Sequence, residues 1–291
     1  MITDHLLSRI FCAMKFALLN LKTERRLHMS ESGRKPHVTV IMTHFGCEDF
    51  LCAAVASVLG QSHADLDLWL ADDASTDDRW IRVLAPFRGD SRLRLFAANS
   101  NVGTYRLKAR LIEMATSPLV AFQDSDDVSE ADRLDCQISE LYRRRLDIIG
   151  CSFNIIDEGG EIIGQRRMPR SCNWLERLGK KHLVHHPTCL VQRRVFDEIG
   201  SFDGTARIGA DSDFILRAAQ RFRIGNVSRP LYRYRQRAAS LTGAQDTGYG
   251  SELRQEYMRA VQQRWRHNRK FGRSADLTPA PIDVDFVLEA V

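Results

Sequence analysis

Nowhere in this chain do about 18 apolar residues run uninterrupted, so no membrane-spanning helix is expected. The seven cysteines (Cys12, Cys47, Cys52, Cys136, Cys151, Cys172, Cys189) are odd in number and form no CxxC pair. That speaks against a disulfide framework and against a cysteine zinc site. A reducing, cytoplasmic compartment is the expectation. No GxSxG, Walker A or GxGxxG string occurs, so hydrolase, kinase and Rossmann-cofactor readings lack support. Internal repeats and low-complexity segments are missing as well. What is present is 291 residues, 44% hydrophobic and 27% charged. That is a globular composition, long enough for one large α/β domain or two small ones.

A net charge of +5 invites a nucleic-acid reading, but the middle of the chain has no excess charge. Residues 1–35 carry +4, residues 251–273 carry +5 and residues 274–291 carry −4, which leaves 36–250 neutral. A phosphate-tracking groove in the central segment is therefore disfavoured, and no nucleic-acid partner is expected. Both basic blocks are terminal. Residues 6–21 place Leu6, Ile10, Met14, Ala17, Leu18 and Leu21 on one helical stripe, with Arg9, Lys15 and Lys22 off it. Such a helix suits the surface of an anionic membrane. The alternative is a folded protein that begins at Met29. Residues 251–273 put Leu253, Tyr257, Val261 and Trp265 at four-residue spacing, which predicts a basic helix folded onto the central domain. Residues 274–291 read as a loosely packed tail. The organisation expected is an extension over 1–35, a central domain over 36–240, and a helix plus tail over 241–291.

The central segment alternates strands and helices. Strands are expected over 37–43, 66–71, 92–97, 119–123 and 147–155, and helices over 48–59, 105–115 and 130–144. Gly159-Gly160 predicts a hairpin turn. Short strand–helix connections argue for a mostly parallel sheet covered on both faces. Ligands in such sheets lie at the carboxyl ends of the strands. Two acidic clusters fall at such ends, Asp72-Asp73 and Asp124-Ser125-Asp126-Asp127. Three carboxylates within four residues repel one another unless a cation or hydrogen-bond donors compensate them. After a buried strand they form a hard-oxygen site suited to Mg²⁺ or Mn²⁺, ions usually shared with substrate phosphates. The bland alternative is a solvated loop capping the next helix.

Six segments in order resemble the family 2 glycosyltransferases over about residues 38–235: VTVIMTHFGCEDFLCAAVASVLGQS, WLADDASTD, NSNVGTYRLKARLIEMA, LVAFQDSDDVSEADRL, HHPTCLVQRRVFDEIGSFD with GADSDFILR, and PLYRYR. The resemblance implies an α/β fold of GT-A type, a mostly parallel sheet flanked by helices, to which the spacing at 6–21 and 251–273 adds helical N- and C-terminal extensions. It implies transfer of a sugar with inversion from a nucleotide-sugar donor, UDP-linked above all, to a saccharide or lipid-linked acceptor in surface polysaccharide biosynthesis. It places Thr43, Asp73, Asn101 and Gly103 around the nucleotide. Asp72 either joins them or buttresses the turn. Lys108 falls near the base or diphosphate, or on a solvated helix face. Asp124, Asp126 and Asp127 would share the ribose and a Mn²⁺ or Mg²⁺ ion. Asp211 matches the general base, and Asp213 should point elsewhere.

The sequence departs from the family pattern twice. Ala210 stands where a Glu often precedes the base, and Arg237 where a His often follows the last strand. An arginine cannot bind a cation but can pair with diphosphate oxygens. His185, His186 and Trp174 are candidates for the acceptor or sugar pocket, with core or interface packing as the alternative. The basic termini would make peripheral contact with the inner face of the cell membrane. A nucleotidyltransferase acting on sugar phosphates is the runner-up, although no glycine-rich phosphate loop follows the first strand. An inactive domain that binds partners through its basic ends is the third reading.

Overall fold

The computed structural model describes residues 35–178, 182–238, 248, 250–271 and 287–291. The helix expected over 6–21 lies outside the described residues. Residues 37–291 form one compact unit, so the C-terminal helix belongs to the unit that carries the acidic clusters.

The first half is a run of strand–helix units. They are β1 (Val38–His44), α1 (Glu48–Leu59), β2 (Leu66–Asp72), α2 (Arg79–Val83), β3 (Leu93–Ala98), α3 (Thr104–Met114) and β4 (Leu119–Asp124). Strand β1 is buried almost throughout, as expected for a central parallel strand covered on both faces. Its neighbours β2 and β4 are parallel to it, and β3 continues beyond β2. Alternate side chains separate the two cores. Ile41, Val120 and Phe122 enter one, and Val40, Met42, Leu119 and Ala121 the other. Helix α1 turns Leu51, Ala54, Val55 and Val58 onto the second core, the stripe its spacing predicts.

The second half comprises β5 (Val128–Ser129), α4 (Arg133–Arg144), β6 (Ile148–Ile156), β7 (Ile162–Arg166), α5 (Asn173–Arg177), β8 (Leu190–Gln192), α6 (Arg193–Ile199), α7 (Ala210–Ala219), β9 (Ile224–Arg235), α8 (Glu252–Phe271) and β10 (Leu288–Ala290). The sheet order is β10-β3-β2-β1-β4-β8-β6-β9-β5, with β7 paired to β6. The parallel core is thus extended by antiparallel pairs at β8, β5, β7 and β10. The hairpin expected at Gly159-Gly160 joins β6 to β7.

Two local expectations change. Helix α4 starts three residues later than its pattern suggests, because Val128 and Ser129 pair with β9 and the Glu130 amide donates to the Leu231 carbonyl. The expected loose tail contains β10, whose Leu288 pairs with Ala98. It covers the outer edge of β3, which would otherwise expose unpaired backbone groups.

Candidate active site

The sheet register sets the two acidic clusters on either side of the end of β1. At the carboxyl end of β1, Thr43 is the register partner of Asp124 on β4, and His44 that of Asp72 on β2. A cavity of about 480 Å³ opens over these strand ends. Thr43, Asp73, Asn101, Gly103, Lys108 and Asp124 line it from the first half of the chain. Asp126, His185, His186, Asp211 and Arg237 line it from the second half. Trp174 and Asp72 do not line it. Trp174 is exposed on α5. Asp72 is buried and accepts hydrogen bonds from the amide and hydroxyl of Ser75 at 2.7 and 2.6 Å, so it buttresses its own turn.

Asp73 clamps the two loops of one wall together. Its oxygens accept from the Val102 and Gly103 amides at 2.8 and 2.9 Å, and its carbonyl accepts from Asn101 Nδ2 at 3.1 Å. Burial raises its carboxyl above the ordinary range, against the pull of those two amides. Gly103 sits at φ +89°, a conformation side-chain-bearing residues rarely adopt, so the turn selects glycine by backbone geometry. Thr43 Oγ1 lies 2.6 Å from Thr104 Oγ1 and ties the end of β1 to the start of α3.

The DSDD segment splits into separate environments. Lys108, buried on α3 rather than solvated, donates from Nζ to Asp124 Oδ1 at 2.9 Å. Burial opposes ionisation of Asp124, but Lys108 outweighs it and holds the carboxyl below its usual value. A third of the Asp124 side chain stays open. Asp126 Oδ2 accepts from both Nε and a terminal nitrogen of Arg237 at 2.8 Å. Burial and the Asp124 charge push the Asp126 carboxyl up, against Arg237. Asp127 turns away from the cavity. It is fully buried, and its Oδ1 accepts from the Arg235 amide at 2.7 Å. Burial and its acidic neighbours drive its carboxyl well above the ordinary range. Buried Arg133 braces the segment from beneath, donating to the Phe122 carbonyl, Gln123 and Ser129.

Among the described residues no group of three His, Cys, Asp or Glu side chains is arranged to hold a metal ion. Asp124 and Asp126 nonetheless both face the cavity. Two such carboxylates fit a hard divalent ion that completes its shell with substrate phosphate oxygens and water.

Asp211 lines the same cavity from the first turn of α7. Tyr105 donates to its Oδ1 at 2.9 Å. Burial, then the Asp211 charge, raises the Tyr105 phenol well above its usual value, which keeps it a neutral donor. Asp213 points away, into ion pairs with Arg217 at 2.7 Å and Arg264 at 3.0 Å. Helix α7 begins after Gly209 at φ +79°, where a Cβ would also come within 3.1 Å of Tyr257 on α8. The same helix α8 hydrogen-bonds Asp203 through Tyr257 and Glu176 through Trp265.

His185 and His186 are held by aromatic faces. His185 stacks on Phe153 at 4.3 Å, and His186 lies 4.4 Å from Phe122. Burial lowers them to about 4 and about 3, so both rings are neutral at physiological pH. Sequence reasoning missed Tyr105, Arg207 and Arg254, all of which line the cavity. Tyr105 lies one turn before Lys108 on the same helix face, a spacing that could have flagged it. Arg254 carries no local signal, because its place depends on how α8 docks.

The Glycosyl transferase family 2 profile matches residues 39–200. A relative from Bacillus subtilis, the putative glycosyltransferase EpsE, is 30% identical over 210 residues, which cover 69% of this chain and 73% of that protein. The Escherichia coli UDP-Glc:alpha-D-GlcNAc-diphosphoundecaprenol beta-1,3-glucosyltransferase WfgD is 28% identical over 137 residues, covering 47% of this chain and about half (53%) of that one. The structure of S. aureus TarS 1-349 in complex with UDP-GlcNAc aligns with a TM-score of 0.59 at 18% identity, covering 70% of this chain and 60% of that one, a likeness of fold.

Proposed function

This chain belongs to the family 2 glycosyltransferases, and from that premise we propose that it transfers a sugar from a nucleotide-sugar donor, UDP-linked, to a hydroxyl of a saccharide or lipid-linked acceptor, with inversion. The observation that carries this reading is that Asp211 and the Asp124–Asp126 pair line one cavity. An acceptor hydroxyl is a poor nucleophile at neutral pH. Asp211 takes its proton as the oxygen attacks the anomeric carbon. The bond from that carbon to the diphosphate breaks, and its electron pair leaves with the nucleoside diphosphate. Attack from the face opposite the leaving group inverts the configuration. Asp73, Asn101, Gly103 and Thr43 form the nucleotide wall. Lys108, Arg207 and Arg237 put positive charge where the diphosphate departs. Mn²⁺ or Mg²⁺ on Asp124 and Asp126 would add a Lewis acid for the leaving phosphates.

The relatives' names point to surface polysaccharide assembly as the setting, WfgD being named for a GlcNAc-diphosphoundecaprenol acceptor. No helix among the described residues is long and apolar enough to cross a membrane. From the basic charge of residues 1–35 and 251–273 we propose peripheral contact with the inner membrane face. The test is incubation with UDP-, GDP- and CMP-sugars and a lipid-linked saccharide. Release of nucleoside diphosphate with a lengthened acceptor is the expected result. Release of pyrophosphate from a sugar phosphate plus a nucleoside triphosphate would establish the nucleotidyltransferase reading instead.

A further inference from the structure

We propose that the segment around α5 is a contact for an anionic lipid surface, made by the central domain itself and set next to the cavity wall. It is separate from the contact proposed for residues 1–35 and 251–273. The primary observation is a pair of large apolar side chains left in solvent. Trp174 and Leu178 are 55% and 68% exposed. They stand four residues apart at α5, so they share one face, and Arg177 at the next-nearest spacing borders it. The other face of α5 is occupied. Leu175 packs against the first core, and buried Glu176 accepts from Trp265 Nε1 at 2.6 Å.

Charge selects the partner. Residues 36–250 sum to zero, but the charge is not evenly spread. Residues 166–178 hold four arginines, Arg166, Arg167, Arg170 and Arg177, and a single acid, Glu176. All four arginines are exposed, whereas Glu176 is turned inward. Arg170 reaches Glu140 at 3.8 Å and stays open to solvent. The surface therefore offers tryptophan and leucine within a field of positive charge. That combination matches a bilayer with anionic headgroups: tryptophan settles at the headgroup level, leucine enters the acyl boundary, and arginines meet the phosphates. A nucleic-acid strand calls for aromatic platforms on which successive bases stack, and here the lone tryptophan is paired with an aliphatic side chain.

The segment is held firmly at its base. Buried Asn226 donates from Nδ2 to the Pro169 carbonyl at 2.8 Å and to the Leu183 carbonyl at 2.9 Å. It thus joins the chain before α5 to the chain after it. Cys172, at the start of α5, also donates to the Leu183 carbonyl, at 3.1 Å. The returning chain is cavity wall, since His182, Val184 and His185 all line the cavity. His182 is four residues beyond Leu178, a span of at most about 14 Å even if fully extended. A bilayer touching Leu178 therefore lies close to the cavity. An acceptor anchored in that bilayer has its saccharide presented near the proposed base.

The experiment is flotation of the full chain with vesicles of phosphatidylcholine alone, or of equal parts phosphatidylcholine and phosphatidylglycerol. Wild type is expected to bind the anionic vesicles and to leave the neutral ones. Arg166→Gln, Arg167→Gln and Arg177→Gln combined should weaken that binding on the order of 100-fold, about fivefold for each arginine. Trp174→Ser with Leu178→Ser should weaken it about tenfold. These side chains are exposed, so melting temperatures should stay at the wild-type value. Brominated phosphatidylcholine in the anionic vesicles gives a positional readout. It should quench wild-type fluorescence, and Trp174→Phe should remove the quenched part while binding persists. Variants that bind as wild type does, or a Trp174 that is not quenched, overturn this inference and leave the contact of the basic ends standing. Equal binding to neutral vesicles overturns it as well. So does a wild-type dimer in sedimentation velocity that the double serine variant dissociates, which would give the face to a second copy. Wild type that binds neither vesicle defeats both contacts. Sugar transfer enters none of these measurements, so a failure of the glycosyltransferase reading shows separately.

Discussion

Tyr105 and Lys108 stand three residues apart on one face of α3, and each holds a carboxylate of the cavity. Tyr105 donates to Asp211 at 2.9 Å, and Lys108 donates to Asp124 at 2.9 Å. Residues at this spacing are neighbours on a helix. A single rigid helix therefore fixes the distance between the proposed base and the proposed diphosphate pole. Gly103 and Thr104 anchor its N-terminus to Asp73 and Thr43. The proposed nucleotide wall, the proposed base and the acidic pole thus share one support.

Asp211→Asn should abolish transfer while leaving nucleotide binding nearly intact. The amide cannot accept the acceptor's proton, and general-base loss is worth on the order of 10²–10⁴-fold in rate. Tyr105→Phe should cost less, about tenfold in kcat with donor KM unchanged, because it removes one hydrogen bond to the base and no reacting group. Steady-state kinetics and titration with UDP check both. Transfer retained by Asp211→Asn would sink the base assignment.

The three carboxyls of the DSDD segment should behave differently on mutation. EDTA is expected to remove activity, and Mn²⁺ or Mg²⁺ to restore it. Asp124→Asn and Asp126→Asn should each raise the Mn²⁺ concentration needed for half-activity. Asp127→Ala should leave that concentration unchanged and lower the melting temperature, since it removes the acceptor of the buried Arg235 amide away from the cavity. Full turnover in the presence of EDTA would refute the cation's role.

The legibility of the sequence followed the range of the interactions. Strands β1, β2 and β4 were readable because a central parallel strand must be apolar on both faces. The acidic clusters at their ends followed from chain direction alone. The resemblance to a known family brought Asp211 to attention, and local helix spacing turned Asp213 away from it. The division of labour among Asp124, Asp126 and Asp127 was not readable. It depends on Lys108, Arg237 and Arg235, which arrive from other strands and helices. Strand β10 was missed because a three-residue edge strand has no period of its own. It exists because β3 has an open edge.

Gly209→Ala tests the support of the base from its other side. Gly209 is at φ +79°, and an added methyl would also press on Tyr257. A side chain in this region costs about 1–2 kcal/mol. Relief of the contact comes from a shift of the Tyr257 ring or of α7 itself, and relief of the backbone strain from the start of α7. Because Asp211 lies two residues on, the variant should lose kcat as well as stability. A fall in melting temperature with unchanged kcat would show that α7 and its aspartate are held independently of α8.

Acid should weaken the fold through the two adjacent histidines that line the cavity. Burial takes His185 from an ordinary 6.5 to about 4, and His186 to about 3. In the unfolded chain both bind protons as pH falls through 6.5, and in the folded chain only near 4 and 3. The unfolded state holds more protons across that window, so stability falls as pH drops from about 6.5 toward 4. For His185 the loss is on the order of 3 kcal/mol. Asp124 and Asp211 face both rings and favour their charged forms, while Lys108 opposes charge on His186. The buried carboxyls Asp73, Asp126 and Asp127, raised above their usual range, act in the opposite sense and blur the total. The clean readout is therefore a difference. His185→Phe should gain on wild type in urea-unfolding free energy as pH is lowered from 7 to 4. A gap between the two proteins that stays constant across this range would mean that the ring is protonated, or free to become so, inside the fold.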